Sequence, residues 1–255
     1  MTKFSANLGF LWNTVPLPDA IHAAANAGFD AVECHWPYEY NARDVNAALK
    51  ETNLKMLGLN TVRGDVKAGE NGLSALPGRE KDARLAIDQA IAYAQQIDCQ
   101  NIHVMAGFAS GQDAETAFIG NLKYASQLAA QAGQTILIEP LNTFDAPGYF
   151  LVGSRHARRI IEAVGAENVK LMFDCYHLQI MEGDLSRSIR ANLDIIGHIQ
   201  FAGVPSRGRP DDGEVNFAHL FSHIAECGYH NPLGAEYKPL DGDTEASLGW
   251  MLNYR

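Results

Sequence analysis

Cysteine is scarce in this chain of 255 residues. Its four thiols, Cys34, Cys99, Cys175 and Cys227, stand far apart and form no C-x-x-C pair. That argues against a zinc framework or a disulfide scaffold and fits reduced thiols in a cytoplasmic protein. Long apolar runs are missing as well. None approaches the roughly 20 residues that span a bilayer, and the opening MTKFSANLGFLWN is a poor signal peptide. No membrane association is expected. Positive charge is in short supply: 20 Lys and Arg against 30 Asp and Glu leave a formal net charge of -10. DNA and other polyanions want a basic stripe, so no nucleic-acid partner is expected. An acidic chain can still take a small anion through a local cationic pocket. No Pro/Ser-rich linker or low-complexity tract divides the sequence, which predicts one domain over residues 1–255.

What is present is a core-forming composition, 47% hydrophobic and 20% charged. Short apolar stretches alternate with longer amphipathic ones almost to the end. The strand candidates are FSANLGF from Phe4, AVECHW from Ala31, KMLGLNT from Lys55 and NIHVMAG from Asn101. They continue with TILIEP from Thr135, VKLMFD from Val169, GHIQFAG from Gly197 and NPLGAEY from Asn231. Helix-like stretches between them include PDAIHAAANAG, EKDARLAIDQAIAYAQQ, AFIGNLKYASQLAAQAG, SRHARRIIEAVG, LSRSIRANLD and NFAHLFSHIAECG. Gly28, Gly133, Gly165 and Gly228 stand where helices would end. This alternation predicts an α/β fold, a (β/α)8 TIM barrel. The alternative, a doubly wound sheet, lacks its Gly-rich phosphate loop after the first strand. The longest irregular region, GDVKAGENGLSALPGR from Gly64, reads as a binding loop or lid.

The stretch ILIEPLN, residues 136–142, is a greasy strand that stops on Glu139 and then Pro140. A carboxylate there costs several kcal/mol, roughly the effective burial penalty of one ion, unless something pairs with it. An ion pair is the plain explanation; a metal or a catalytic base is the sharper one. Three further strands deliver polar residues to the same rim: Asp174 ends KLMFD, Gln200 lies in HIQ and Glu236 in LGAEY. Barrel chemistry collects at that rim. Three carboxylates so close repel one another unless a cation sits among them, and oxygen donors suit Mg2+ or Mn2+. His177, three residues past Asp174, could orient a substrate group. Asn7 and Asn60, at the ends of strands one and three, could line the same pocket. His103 and His198 sit inside strands and read as buried, paired residues, with a place in the site as the weaker alternative. Lys238, two residues past Glu236, and Arg207, in the loop after Gln200, are the candidates for binding a substrate carboxylate. Arg209 reads as a surface charge.

These residues carry a resemblance that runs the length of the chain. FSANL, PY after strand two, GDVKAGENGLSALPGRE, IEPLN, DCYH, MEGDL, HIQFAGVPSR, DDGEVNF and EYKP together resemble the hydroxypyruvate isomerase family of xylose-isomerase-like barrels. The resemblance implies a divalent ion, Mg2+ or Mn2+, held by Glu139, Asp174, Gln200 and Glu236, with Glu139 and Glu236 as the acid–base pair. Gln200 favours the isomerase branch, because the related ketose 3-epimerases usually place His there. IEPLNTFDAPGY looks like the hydroxypyruvate isomerases, whereas GLSALPGRE and HVMAG look closer to the 2-oxo-tetronate isomerases. Arg63 departs from the pattern, which has a small residue or Pro just before this GD.

The expected reaction is an aldose–ketose type isomerisation of a small hydroxy-oxo acid. Hydroxypyruvate would give tartronate semialdehyde, or a 2-oxo-tetronate its 3-oxo isomer, through an enediolate. A ketose 3-epimerase acting on free sugars is the nearest alternative, followed by a dehydratase or isomerase of cyclic polyols. An endonuclease IV-type barrel would call for several zinc-binding His residues and a basic face, and neither is apparent. A non-catalytic sugar sensor sits poorly with a complete ligand set. A homo-oligomer is compatible with the sequence, which does not fix the oligomeric state.

Overall fold

A computed structural model describes residues 2–254, so the first and last positions of the expected 1–255 domain lie outside the described residues. The strands are β1 (Phe4–Asn7), β2 (Ala31–Glu33), β3 (Gly58–Asn60), β4 (Asn101–His103), β5 (Thr135–Ile138), β6 (Val169–Asp174), β7 (Ile196–Phe201) and β8 (Leu233–Ala235). All seven neighbour pairings are parallel, in the order β2-β1-β8-β7-β6-β5-β4-β3. The two ends of that order meet. Val32 bridges Met56 in parallel, Leu57 N donates to Val32 O at 2.7 Å, and Cys34 N donates to Gly58 O at 3.0 Å. The sheet therefore closes into the expected (β/α)8 barrel.

The connecting helices are α1 (Leu17–Asn26), α2 (Ala42–Thr52), α3 (Glu80–Gln96), α4 (Gln112–Gln131), α5 (Ser154–Val164), α6 (Cys175–Met181), α7 (Leu185–Asn192), α8 (Phe217–Glu226) and α9 (Met251–Tyr254). Helices cover the outside and side chains fill the inside, so the strands are buried on both faces and read as continuous apolar runs. The four glycines placed at helix ends, Gly28, Gly133, Gly165 and Gly228, all have positive φ. Helix α2 was not among the stretches singled out above. Its sequence is mostly polar, and its signals are the Asn41 side chain, which caps Arg43 N at 3.0 Å, and buried Val45, Ala48 and Leu49 on one face. Among the described residues no helix is long and apolar enough to cross a membrane.

All the strands but β6 are shorter than the stretches that announce them, and two of the endings shape the rim. FSANLGF stops at Asn7, whose Oδ1 accepts from Gly9 N at 2.9 Å while its carbonyl accepts from Leu11 N at 2.9 Å. Likewise β8 stops at Ala235, leaving Glu236 just above the ladder.

The C-terminal segment closes one side of the barrel. Trp250, fully buried, packs edge-on against Phe4 of β1 and Phe201 of β7, with ring centroids 5.0 and 5.5 Å apart. Its Nε1 donates to Tyr237 Oη at 3.1 Å. Trp12 ties the loop after β1 to the same segment, through its N to Thr244 Oγ1 at 2.9 Å and its Nε1 to Glu245 Oε1 at 2.6 Å. Replacing Trp250 with Ala should therefore cost about 3–5 kcal/mol, the range for a buried large aromatic. Urea denaturation would read it; a loss under about 1 kcal/mol would mean that this segment contributes little to the stability of the barrel.

Candidate active site

The C-terminal ends of four neighbouring strands bring the expected oxygen donors together. Glu139 follows β5 directly, Asp174 is the last residue of β6, Gln200 is the penultimate residue of β7 and Glu236 follows β8. Asp174 and Gln200 are register partners, and Glu236 N donates to Phe201 O at 3.1 Å, which fixes its height on the rim. All four side chains are buried.

Each of the four keeps one buried oxygen without a hydrogen-bond partner: Glu139 Oε1, Asp174 Oδ2, Gln200 Oε1 and Glu236 Oε2. The other Asp174 oxygen is used locally, accepting from Tyr176 N at 2.8 Å as the N-cap of α6. Buried unpaired oxygens are costly, and four of them from four adjacent strands form a donor set that suits a hard divalent cation. Burial, then the neighbouring Glu236 and Asp174 charges, push the Glu139 carboxyl well above its ordinary range. Burial and then Glu236 raise Asp174 to about 7. Glu236 goes the other way. Burial opposes its ionisation, but Arg207 and then His35 outweigh burial and hold it down to about 2.

Arg207 reaches into this cluster from the loop after β7. Its Nη2 lies 3.1 Å from Glu236 Oε1 and 3.7 Å from Asp174 Oδ2. The guanidinium also lies against the Phe10 and Tyr176 rings, 4.8 and 5.0 Å from their centroids, and its Nε is buried without a partner.

Glu139, Asp174 and His177 can bring one ligand atom each within 4.8 Å of one another, but the hydrogen bonds give His177 a different task. Asn142 aims two N–H donors at His177 Nδ1, its backbone N at 3.1 Å and its Nδ2 at 2.8 Å. Nδ1 is therefore the acceptor and the ring proton sits on Nε2, 3.6 Å from Asp174 Oδ2 and 3.8 Å from Glu139 Oε1. Burial and then Arg207 lower the His177 pKa to about 3, so the ring stays neutral. A neutral ring with its proton on Nε2 presents a hydrogen-bond donor there, not a lone pair for a metal. His103, also held neutral with a pKa of about 3 by burial, places Nδ1 3.6 Å from Glu139 Oε2.

The remaining candidates are not drawn into the cluster in the same way. Lys238 is exposed, unlike buried Glu236 two residues before it. The expectation of a shared face fails because β8 has already ended at Ala235 and strand alternation no longer governs. Asn7 is buried, with Oδ1 engaged by Gly9. Asn60 is half-buried at the end of β3, and its carbonyl accepts from Tyr38 Oη at 2.5 Å. Arg209 pairs with Asp211 at 2.8 Å on the surface, as expected.

Sequence reasoning passed over two residues of the site, His35 and Glu33. His35 sends Nε2 to within 3.4 Å of Glu236 Oε1. Glu33 ends β2 and pairs with His198 at 2.7 Å. The signal for Glu33 was the one that found Glu139, a carboxylate closing an apolar strand, but CHW follows it and hides the stop. Arg63 stacks its guanidinium 4.0 Å above the Trp36 ring, and Trp36 packs on His35 at 5.0 Å. The region from Gly64 is a folded loop: Glu70 accepts from Asp65 N and from Arg79 Nη1, each at 2.6 Å.

The carboxyl shifts carry a stability consequence. The folded state binds a proton at Glu139 more tightly than the unfolded chain does, so this contribution is complete below about pH 4.5 and is lost as pH rises through the raised value. His103 and His177 act in the opposite sense, losing stability as pH falls from about 6.5 toward 3, and are neutral in both states above that window. In EDTA, the Tm should therefore fall from pH 6.5 to 9, and Glu139→Gln should flatten the fall. Mn2+ should remove it from the wild-type chain. Parallel curves for the two proteins would assign the slope elsewhere.

A family model of the xylose isomerase-like TIM barrel matches residues 21–254. The 2-oxo-tetronate isomerase of Cupriavidus necator is 45% identical, covering 100% of this chain and 99% of that one. The hydroxypyruvate isomerase of Escherichia coli is 39% identical over 100% of both. Among solved structures, the AP endonuclease, family 2, from Brucella melitensis superposes with a TM-score of 0.95 at 41% identity, covering 100% of both chains. With the rim geometry and these full-length matches together, the chain belongs to the hydroxypyruvate isomerase family of xylose isomerase-like TIM barrels.

Proposed function

We propose that this chain is a divalent-metal-dependent isomerase of a small hydroxy-oxo acid. It would interconvert hydroxypyruvate and tartronate semialdehyde, or a 2-oxo-tetronate and its 3-oxo isomer. The carrying observation is the set of four unpartnered buried oxygens, one each from Glu139, Asp174, Gln200 and Glu236, in a chain whose full-length relatives are named for these two activities. Those four residues would hold Mg2+ or Mn2+. When bound, the ion would polarise the adjacent carbonyl and hydroxyl oxygens of the substrate and stabilise the enediolate charge.

The chain's own residues do the proton work. Glu139 and Glu236 stand just past the ends of β5 and β8, with β6 and β7 between them. One takes the proton from C3 and the other returns one at C2, while the C3 hydroxyl proton passes to the C2 oxygen. His177, neutral with its proton on Nε2, donates to a substrate oxygen, and Asn142 holds that tautomer in place. Arg207 is pinned by Glu236 and keeps an unpartnered buried Nε–H to offer the substrate's carboxylate. Lys238, being exposed, takes no part in this reading.

The Brucella melitensis neighbour's description as an AP endonuclease, family 2, raises a nucleic-acid reading. A net charge of -10 weighs against a polyanion substrate. So does the ligand chemistry: among the described residues the metal-capable group of Glu139, Asp174 and His177 has a single histidine.

Turnover should be assayed on hydroxypyruvate and 2-oxo-tetronates, with D-fructose and D-tagatose as uncharged controls. EDTA should abolish activity and Mn2+ or Mg2+ should restore it, on the oxo acids alone. Turnover of the free ketoses with the oxo acids inert would move the chain to 3-epimerisation. Glu139→Gln should keep the fold by circular dichroism and lose about 10²-fold or more in kcat, the scale of a lost general acid–base group. Full activity in that variant would remove Glu139 from the chemistry.

A further inference from the structure

Beneath the rim, the barrel interior holds a buried carboxylate to which the proposed reaction gives no role. Glu33 ends β2, and its Oε2 lies 2.7 Å from His198 Nε2 and 3.4 Å from Gln200 Nε2. All three side chains are buried. β1 and β8 stand between β2 and β7 in the sheet, so side chains of β2 and β7 can meet only across the inside of the barrel. His198 and Gln200, two apart on β7, share that inward face.

The strand between them is shaped to admit the contact. Gly234 of β8 is the register partner of Gln200. A Cβ at Gly234 would lie 2.2 Å from Glu33 Oε1, 2.8 Å from Gln200 Cγ and 3.0 Å from His198 Nε2. Any larger residue there would fill the space that the three side chains occupy.

A primary amide is an ambiguous ligand. One end donates and the other accepts, and a hard cation takes only the oxygen. Glu33 resolves the ambiguity, because its Oε2 stands where it accepts from the Gln200 Nε2. With Gln200 Nε2 toward Glu33, Oε1 is left buried and unpartnered, beside the orphaned oxygens of its neighbours. Turned over, the amide would set its oxygen against the carboxylate and its NH2 in the place of Oε1. His198 holds Glu33 in turn.

We infer that Glu33 is a positioning residue: held by His198, its carboxylate turns the Gln200 amide so that the oxygen is presented to a divalent cation, and thereby sets the cation affinity of the site. The inference rests on the cation reading proposed above.

Mn2+ affinity, measured by calorimetry and by the electron paramagnetic resonance signal of free Mn2+, tests it on the wild-type chain, Glu33→Gln, Gln200→Glu and the double variant. Circular dichroism checks each fold first. Glu33→Gln should weaken Mn2+ binding about tenfold, the lower end of the effect of removing a residue that orients a metal ligand. In the Gln200→Glu background the sign should reverse. There the Glu33 carboxylate faces a second carboxylate, so Glu33→Gln should tighten binding. A role of Glu33 as mere negative charge predicts the same loss in both backgrounds, and that result would overturn the inference. Glu33→Asp keeps the charge and shortens the reach, so it should also weaken Mn2+; wild-type affinity in that variant would overturn the inference even if Glu33→Gln failed to fold. A wild-type chain that binds no Mn2+ would instead remove the cation reading itself, and the inference with it.

Discussion

Three carboxylates and an amide oxygen crowded at one end of a barrel repel one another, and much of the surrounding structure can be read as managing that repulsion. Glu139, Asp174 and Glu236 are buried, so water does not screen them. Protein cations answer only part of the charge. Arg207 pairs with Glu236 and approaches Asp174, while His177 and His103 stay neutral. The result is a site in which one glutamate is held ionised and its counterpart is pushed toward protonation. An arrangement of this kind is destabilising on its own terms and would be relieved by a bound cation, the way a fold gives up stability at a functional site.

The barrel supplies the rigidity that such crowding needs. Closed parallel pairing fixes the heights of the strand ends, and the register of β6 with β7 sets Asp174 beside Gln200. Strand endings matter as much as strands. Because β5 and β8 stop one residue short, Glu139 and Glu236 leave the ladder just where the interior opens. Groups behind the rim then set the state of groups on it. Asn142 decides which nitrogen of His177 carries the proton, and Arg63, stacked on Trp36, backs the ring that packs against His35.

The alternation of apolar strands and amphipathic stretches was legible from residue types because a strand buried on both faces has few other ways to be written. The oxygen donors were legible for a related reason: a carboxylate at the end of a buried run has no cheap explanation. Helix α2 was harder to read, since its polar composition hides a narrow buried stripe. Lys238 shows where strand alternation stops being informative. Alternation placed it on the face of Glu236, but alternation holds only while the strand lasts. Glu33 and His35 were missed because their partners, His198, Gln200 and Glu236, lie about 165 to 201 positions away in the sequence, and local pattern carries no information about pairing across a barrel.

By itself, then, the sequence determined the kinds of element, their order, the chemistry of the rim donors and the acidic character of the chain, all of which follow from residue type and short-range periodicity. The tertiary structure decided where each strand stops, which oxygens remain unpartnered, which way the Gln200 amide turns and which nitrogen of His177 bears the proton. Those are properties of contacts between distant segments, and a hydrogen bond has no donor or acceptor until both partners are in place.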